Sequence, residues 1–398
     1  MSRLGNGSRR LVVAAAVLAL VLAACGGGGS KKTTTSGGGG KTTVAFAFVG
    51  PLTGPNANLG INSRDGAAVA IKQANAAQTK YNFVLKDYDT QGDPAQAPGQ
   101  AAKYEADNQV LAVIGPTFSG ETKAVLPSLN DASLVMISPS ATNVQLPTVV
   151  PGGKVFHRVI PDDDVQAKGV SDYIEKKIKP KNVALVHDNS DYGKGLWDGV
   201  LKNLNAAGIN VAVTDAVQPG GTDYSAAVNK VKAANVDVVF YGGYYSDAGR
   251  LKKQLSDAGV KGTFVSGDGS LDPGFIVSSG AAGGEGALIT CPCKLATTDA
   301  GGDLGKFAND YKGQWNKDPG TYSSEGFDSA NILIKGIEAG NTTRAKVLDY
   351  VNGLGSYAGI SKTIQFETNG NVKSGDVFVY EVKGGKLSLL GSAVDLTK

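Results

Sequence analysis

The side chains able to do chemistry cluster in short loops: Ser119, the stretch Ser140–Thr142, Asp268, and the tyrosines Tyr192, Tyr244 and Tyr322. Ser119 and the Ser140–Thr142 pair each stand just before a possible helix. Backbone N–H groups at a helix start lack partners, and the helix dipole favours negative charge there. Two such ends converging hold a small carboxylate without an arginine. Plain N-capping explains either loop taken alone. Asp268 lies between Gly267 and Gly269, as a turn aspartate or as a carboxylate free to face a cation. Tyr192 and Tyr244 follow strand ends, where a ring either closes a cleft or simply packs.

Acid–base chemistry finds little to work with. The only histidines are His157 and His187, and neither falls in a metal-ligand spacing. There is no G-x-S-x-G elbow and no phosphate-binding loop. His187 and Asp188 are adjacent, and adjacent residues on a strand point apart. A secreted α/β hydrolase using Ser119 is the weaker alternative, because it needs a histidine near that serine.

The elements that must position these residues alternate. Strands are expected at Thr43–Val49, Asn82–Asp87, Val110–Gly115, Leu134–Ser138, Val183–His187, Ile209–Val213, Val236–Tyr241 and Thr263–Ser266. Ala-rich helical stretches lie between them, near 60–78, 94–108, 121–131, 163–178, 192–207, 222–234 and 245–258. Runs such as Leu111–Ile114 are continuously apolar, which fits parallel sheets covered on both faces. The fold class is therefore doubly wound α/β, with four units before about residue 155 and four after, in two sheets. Helices near 304–316, 324–339 and 343–352 lead into Lys362–Phe366 and a hairpin, Val377–Val382 with Leu387–Leu390. In such sheets ligands sit beyond the carboxyl ends of the strands. Those ends are the loops that carry the hydroxyls and tyrosines.

Residues 11–24 form one apolar run after Arg3, Arg9 and Arg10, too short to cross a bilayer, and read as a secretory signal over 1–24. Leu22-Ala23-Ala24-Cys25 resembles the lipobox of bacterial lipoproteins, which implies lipidation of Cys25. Residues 25–41 are a Gly/Ser/Thr-rich tether with nothing to bury. Removing residues 1–24, whose only charges are those three arginines, leaves 36 bases against 36 acids. A nucleic-acid binder relying on phosphate neutralisation is thereby disfavoured.

Taken in order, the loops resemble the leucine/isoleucine/valine-binding proteins, the solute receptors of branched-chain amino acid ABC transporters. The matching pieces are Val49–Gly54, Tyr88–Thr90 with Asp93-Pro94, Val113–Gly115 through Ser119, and Ile137–Thr142. Val186–Asp188 with Tyr192-Gly193 and Tyr241–Tyr244 complete them, and the likeness runs from about Thr43 to Val382. It implies the type I periplasmic binding protein fold, two lobes joined by three crossovers: 42–157 with 291–361, and 158–290 with 362–398. It implies that Ser119 and Thr142 take an α-carboxylate, and that the Ser140 carbonyl, Thr142 and Asp268 take an α-ammonium, with Ala141 between them. Tyr192 and Tyr244 would seal the cleft from the far lobe, and Phe118 and Tyr322 would touch the ligand's side chain. Asp268 replaces a familiar glutamate, and Leu59 a familiar tyrosine or tryptophan. The expected protein is a lipid-anchored, monomeric receptor that hands an apolar, branched-chain α-amino acid to a membrane permease, without cofactor, metal or nucleic acid. Relatives of the fold bind amides, urea or aromatic acids, which is the first alternative. A structural lipoprotein with an empty cleft is a further one.

The familiar disulfide of the first lobe is missing, since its positions here are Gly92 and Phe118. Cys291 and Cys293 flank Pro292 instead. On a fully extended segment their Cα atoms stand ~6.6 Å apart, so a disulfide between them requires a local bend. The exported compartment favours the bond, and two free thiols are the competing state. Zinc is disfavoured, with His157 the one plausible extra nitrogen ligand.

Overall fold

The computed structural model describes residues 41–77, 80–373 and 375–398. The proposed signal, Cys25 and nearly all of the tether lie outside the described residues. Among the described residues no helix is long and apolar enough to cross a membrane.

Two sheets organise the chain from Lys41 onward. The first holds β1 (Thr42–Gly50), β2 (Tyr81–Asp89), β3 (Val110–Ile114), β4 (Met136–Ser138) and β5 (Phe156–Arg158) in the order β2-β1-β3-β4-β5. All its pairings are parallel. Along β1, Phe46 and Phe48 enter one apolar cluster and Ala45, Ala47 and Val49 another, as the period of two requires. Both faces are covered, which is why these strands read as unbroken apolar runs.

The second sheet begins with β6 (Asn182–His187), β7 (Asn210–Ala216), β8 (Val238–Gly242), β9 (Thr263–Ser266) and β10 (Leu288–Cys291). After a two-stranded ribbon, β11 (Tyr357–Ala358) with β12 (Thr363–Ile364), it is completed by β13 (Phe378–Lys383) and β14 (Lys386–Ser392). Its order is β14-β13-β10-β9-β8-β6-β7; the pairings of β13 with β10 and with β14 are antiparallel and the rest are parallel. Both sheets wind alike: the second strand lies on one side of the first and the third on the other. The crevice at that reversal opens beyond β1/β3 in one sheet and β6/β8 in the other. The loops ending in Ser119 and Tyr244 leave from those crevices.

Strands β5 and β10 were not expected from the sequence. β5 is three residues long and carries His157 and Arg158, and β10 follows a glycine-rich stretch. The helices Gly302–Trp315, Ser323–Glu338 and Arg344–Asn352 return to the first sheet, placing Phe307, Phe327, Leu333 and Val351 in its core. Ile364, Phe366 and Val372 belong to the same core. The chain therefore changes sheets between Val372 and Phe378, later than the boundary at residue 361 that the sequence suggests.

Cys291 and Cys293 are disulfide-bonded with Cα atoms 4.9 Å apart, the chain bending at Pro292. Both are buried in the second core. The expected outcome for the chain from Lys41 onward, denatured without reductant, is no uptake of alkylating agent by intact mass. Two groups should add after reduction, and uptake of two groups beforehand would mean free thiols.

Candidate functional site

The loop after β3 is pinned from below. Phe118 sits at the N-cap of the helix Ser119–Asp131, and its backbone N–H donates to Glu121 Oε2 at 2.8 Å. The Thr90 hydroxyl donates to the other Glu121 oxygen. Burial pushes the Glu121 carboxyl up to about 7, against the lowering effect of those two donors. Gly92 closes the same corner: a Cβ there would stand 2.9 Å from the Phe118 ring, and its φ is +76°. The aromatic ring thus packs against the position where the family resemblance places a disulfide partner.

The loop after β4 is laced to that one. Ser138 donates its hydroxyl to Pro116 O at 2.7 Å and accepts from the Ala141 N–H at 2.9 Å. Ser140 Oγ donates to Thr117 O at 2.5 Å, and Asn143 N–H to Ser119 Oγ at 3.2 Å. Beneath both lies Arg158, fully buried, which donates to Ala141 O at 3.1 Å and Asn143 O at 2.9 Å. Its Nε donates to Asn371 Oδ1 at 2.9 Å. With its N–H and carbonyl both occupied, Ala141 is a strut of the loop.

The opposite wall centres on Asp268, which follows β9 and is fully buried. Tyr192 donates its hydroxyl to Oδ1 and Tyr322 donates to Oδ2, each at 2.6 Å. The Tyr192 oxygen accepts in turn from Gly269 N–H at 3.0 Å. Burial raises the Asp268 pKa, while Tyr192, Tyr322 and the Gln166 amide lower it. Tyr322 reaches Asp268 from the segment before the helix Ser323–Glu338, and it does so from a left-handed backbone with φ of +69°. A non-glycine residue held there costs about 1–3 kcal/mol, offset by the surroundings that impose it.

The two walls meet. Phe118 stacks on Tyr244 with ring centroids 4.1 Å apart, and Tyr244 tilts against Tyr192 at 5.2 Å. Asn58 donates to Asp272 at 2.9 Å, Ser246 N–H to Asn56 at 3.3 Å, and Lys123 pairs with Asp191 at 2.7 Å. Phe118, Ser119, Ser140, Tyr192, Tyr244 and Tyr322 line one small residual cavity, with Thr117 and Gly269. Asp268 stands behind the two tyrosine hydroxyls. Leu59 does not line the cavity; it is buried in the core beside Phe118 and Tyr322. Thr142 Oγ1 is buried near Asp163 but makes no hydrogen bond of good geometry.

Sequence reasoning missed Glu121, Arg158, Asp163 and Gln166. Arg158 offered a signal, being a cation in a short stretch of otherwise apolar character. Asp163 lies in an acidic triplet that reads as a solvated helix start. The histidines are engaged elsewhere: His157 packs on Phe366 at 4.8 Å, and His187 lies 5.0 Å from Trp197.

A family profile described as periplasmic binding protein matches residues 43–386. The chain belongs to the periplasmic binding proteins. Among its relatives is a leucine-, isoleucine-, valine-, threonine- and alanine-binding protein of Pseudomonas aeruginosa, 32% identical over 85% of this chain and 90% of that one. Two solved structures share the fold of this periplasmic binding protein. One is the branched-chain amino acid transporter substrate-binding protein LivJ of Streptococcus pneumoniae in complex with isoleucine. It has a TM-score of 0.80, is 24% identical, and covers 88% of this chain and 100% of that one. The other is an ABC transporter solute-binding protein of R. palustris in complex with benzoate. Its TM-score is 0.78 at 18% identity, over 89% and 96% of the two chains. The doubly wound α/β architecture read from the sequence is thus a type I periplasmic binding protein fold, and the family is one of exported solute receptors.

Raising a carboxyl's pKa in the folded state stabilises that state only while the proton is bound. For Glu121 the contribution is therefore lost as pH rises from its unfolded value of 4.5 through about 7. His157, pushed down to about 4 by burial, has the opposite sign, its contribution being lost as pH falls below 6.5. Urea titrations of the parent protein and Glu121→Gln should isolate the first effect. The variant should gain on the parent by roughly 3 kcal/mol between pH 4.5 and 7, and a constant difference would refute the assignment.

Proposed function

We propose that this periplasmic binding protein is the receptor of an ABC importer that captures an apolar α-amino acid, branched-chain first among them, between its two walls. One observation carries the reading: a small cavity is lined by Ser119 at a helix start and by Tyr192 and Tyr322, whose hydroxyls hold the buried carboxylate of Asp268 behind them. A zwitterion needs both parts at once, because each charge removed from water requires a counter-charge or aligned donors. The helix start and the hydroxyls of Ser119 and Thr142 serve the carboxylate, and Asp268 serves the ammonium. The rings of Phe118 and Tyr244 offer apolar surface to the side chain, worth ~25 cal/mol per Å² buried. Affinity near micromolar, about −8 kcal/mol, is within reach of such a site. The specificities named for the Pseudomonas relative and the LivJ protein point the same way.

Cys25 as a lipid anchor and residues 26–41 as a leash complete the proposal, placing a monomeric receptor on the outer face of the membrane beside its permease. The lobes are proposed to be the two sheets with the helices covering them. No catalytic role is proposed for Ser119, whose hydroxyl accepts from Asn143 while both imidazoles pack elsewhere. One observation favours a second ligand class: both Asp268 oxygens already accept a tyrosine proton. An acid without an ammonium, like the benzoate of the R. palustris protein, leaves that arrangement undisturbed.

A thermal-shift panel of the twenty amino acids, urea, short amides and aromatic acids separates these. Leucine, isoleucine or valine at 100 times Kd should stabilise the protein by ~2.7 kcal/mol, a shift of several degrees. Asp268→Ala should lose at least 100-fold in affinity, about 3 kcal/mol, because it leaves the ammonium buried without its counter-charge. Shifts with aromatic acids alone would assign the cleft to the second class.

A further inference from the structure

We propose that Glu121 is the positioning residue of the cleft's anion-binding end: its buried carboxylate ties the loop after β2 to the backbone of Phe118, and so fixes the helix start that carries Ser119. This rests on reading that helix start as the seat of the ligand's carboxylate, a group both ligand classes share.

The argument begins with a missing cap. Helices usually start on Ser, Thr, Asp or Asn, whose side chain accepts an N–H of the first turn. The helix Ser119–Asp131 starts on Phe118, and a phenyl ring has no acceptor to offer. Its first turn therefore lacks a side-chain cap. That suits a bound anion, but the helix start must then be held in some other way.

Glu121 does the holding. It is the third residue of the helix and is fully buried. Its Oε2 accepts from Phe118 N–H at 2.8 Å, so the tie leaves the donors from Ser119 onward untouched. Its Oε1 accepts from the Thr90 hydroxyl. Thr90 is anchored in turn: its N–H donates to Gly50 O at 3.1 Å, and its carbonyl accepts from Asp93 N–H at 3.0 Å. The Thr122 hydroxyl adds a bond to Phe118 O at 2.9 Å. The end of β1, the loop after β2 and the helix start are thus joined through one carboxylate.

What the tie fixes is Phe118 and the residue after it. The Phe118 ring lies against Gly92 and stacks on Tyr244 of the opposite wall, with centroids 4.1 Å apart. Ser119 Oγ accepts from Asn143 N–H at 3.2 Å. Loosening Phe118 therefore acts on the anion end and on the contact between the walls together. The charged groups that act on Glu121 are Asp89 and Asp93, both acids. A buried carboxylate beside two others is costly. A glutamine keeps both bonds without the charge, its carbonyl accepting from Phe118 and its amide donating to Thr90. The two roles, bonding and charge, are thereby separable.

The test is calorimetric titration of L-leucine, L-isoleucine, L-valine and benzoate into the full chain and its variants at one fixed pH. Glu121→Ala removes both bonds and should raise Kd at least about tenfold for every one of these that the parent protein binds. Glu121→Gln should stay within about threefold of the parent. Thr90→Val keeps the Phe118 bond and should fall between the two. A merely structural residue would change stability in these variants and leave Kd alone. A Kd for Glu121→Ala within about threefold of the parent overturns the inference, as does a loss in Glu121→Gln equal to that in Glu121→Ala. Should Glu121→Ala fail to fold, Thr90→Val decides, and a Kd unchanged from the parent overturns the inference. If none of the four ligands binds the parent protein, the reading of the cleft itself fails, and this inference with it.

Discussion

Charge taken out of water must meet a partner, and much of this fold is arranged around that requirement. Arg158, Glu121, Asp163 and Asp268 are all buried within or beneath the loops that form the cleft. Each ionic group there disfavours burial by several kcal/mol unless hydrogen bonds or opposite charge compensate. Arg158 spends its donors on the carbonyls of Ala141 and Asn143, and Glu121 gathers Thr90 and Phe118. Asp268 gathers two phenols. The pieces that hold the loops rigid are therefore the same pieces that set the electrostatics of the cavity between them.

Topology decides where those loops meet. Each sheet reverses its winding next to its first strand, so the ends of β1 and β3 face outward on one side and those of β6 and β8 on the other. Closure then needs only a few contacts across the gap. The Phe118–Tyr244 stack, the Asn58–Asp272 bond and the reach of Tyr322 to Asp268 supply them. A ligand that adds its own bonds between the walls favours the closed arrangement by its differential affinity for it.

Much of this was legible in the sequence because the local signals agreed with the global fold. Continuous Val/Ile/Phe runs ending in Gly, Ser or Asp gave the strand ends, and strand ends gave Ser119, Tyr192, Tyr244 and Asp268. The illegible parts were long-range or short. β5 is too brief to show a period, and its Arg158 is explained by carbonyls 15 and 17 residues away and by Asn371, 213 residues away. The partnership of Tyr322 with Asp268 spans 54 residues and two sheets. Asp163 is buried near Thr142 and Asp268, neighbours that only the folded chain brings together. Leu59, placed by resemblance at the ligand, lies in the first turn of the helix Ala57–Ala76 and is buried in the same apolar cluster as Phe118 and Tyr322.

The central claim is that the cleft selects a zwitterion through its ammonium. It is tested most directly by comparing L-leucine with 4-methylpentanoate, which keeps the carboxylate and the branched side chain and lacks only the nitrogen. Calorimetric titration of each into the same protein should give leucine the lower Kd by at least ~100-fold, the effect of losing a buried charge pair of about 3 kcal/mol. Equal or tighter binding of 4-methylpentanoate would contradict the account and make Asp268 a structural partner of its two tyrosines.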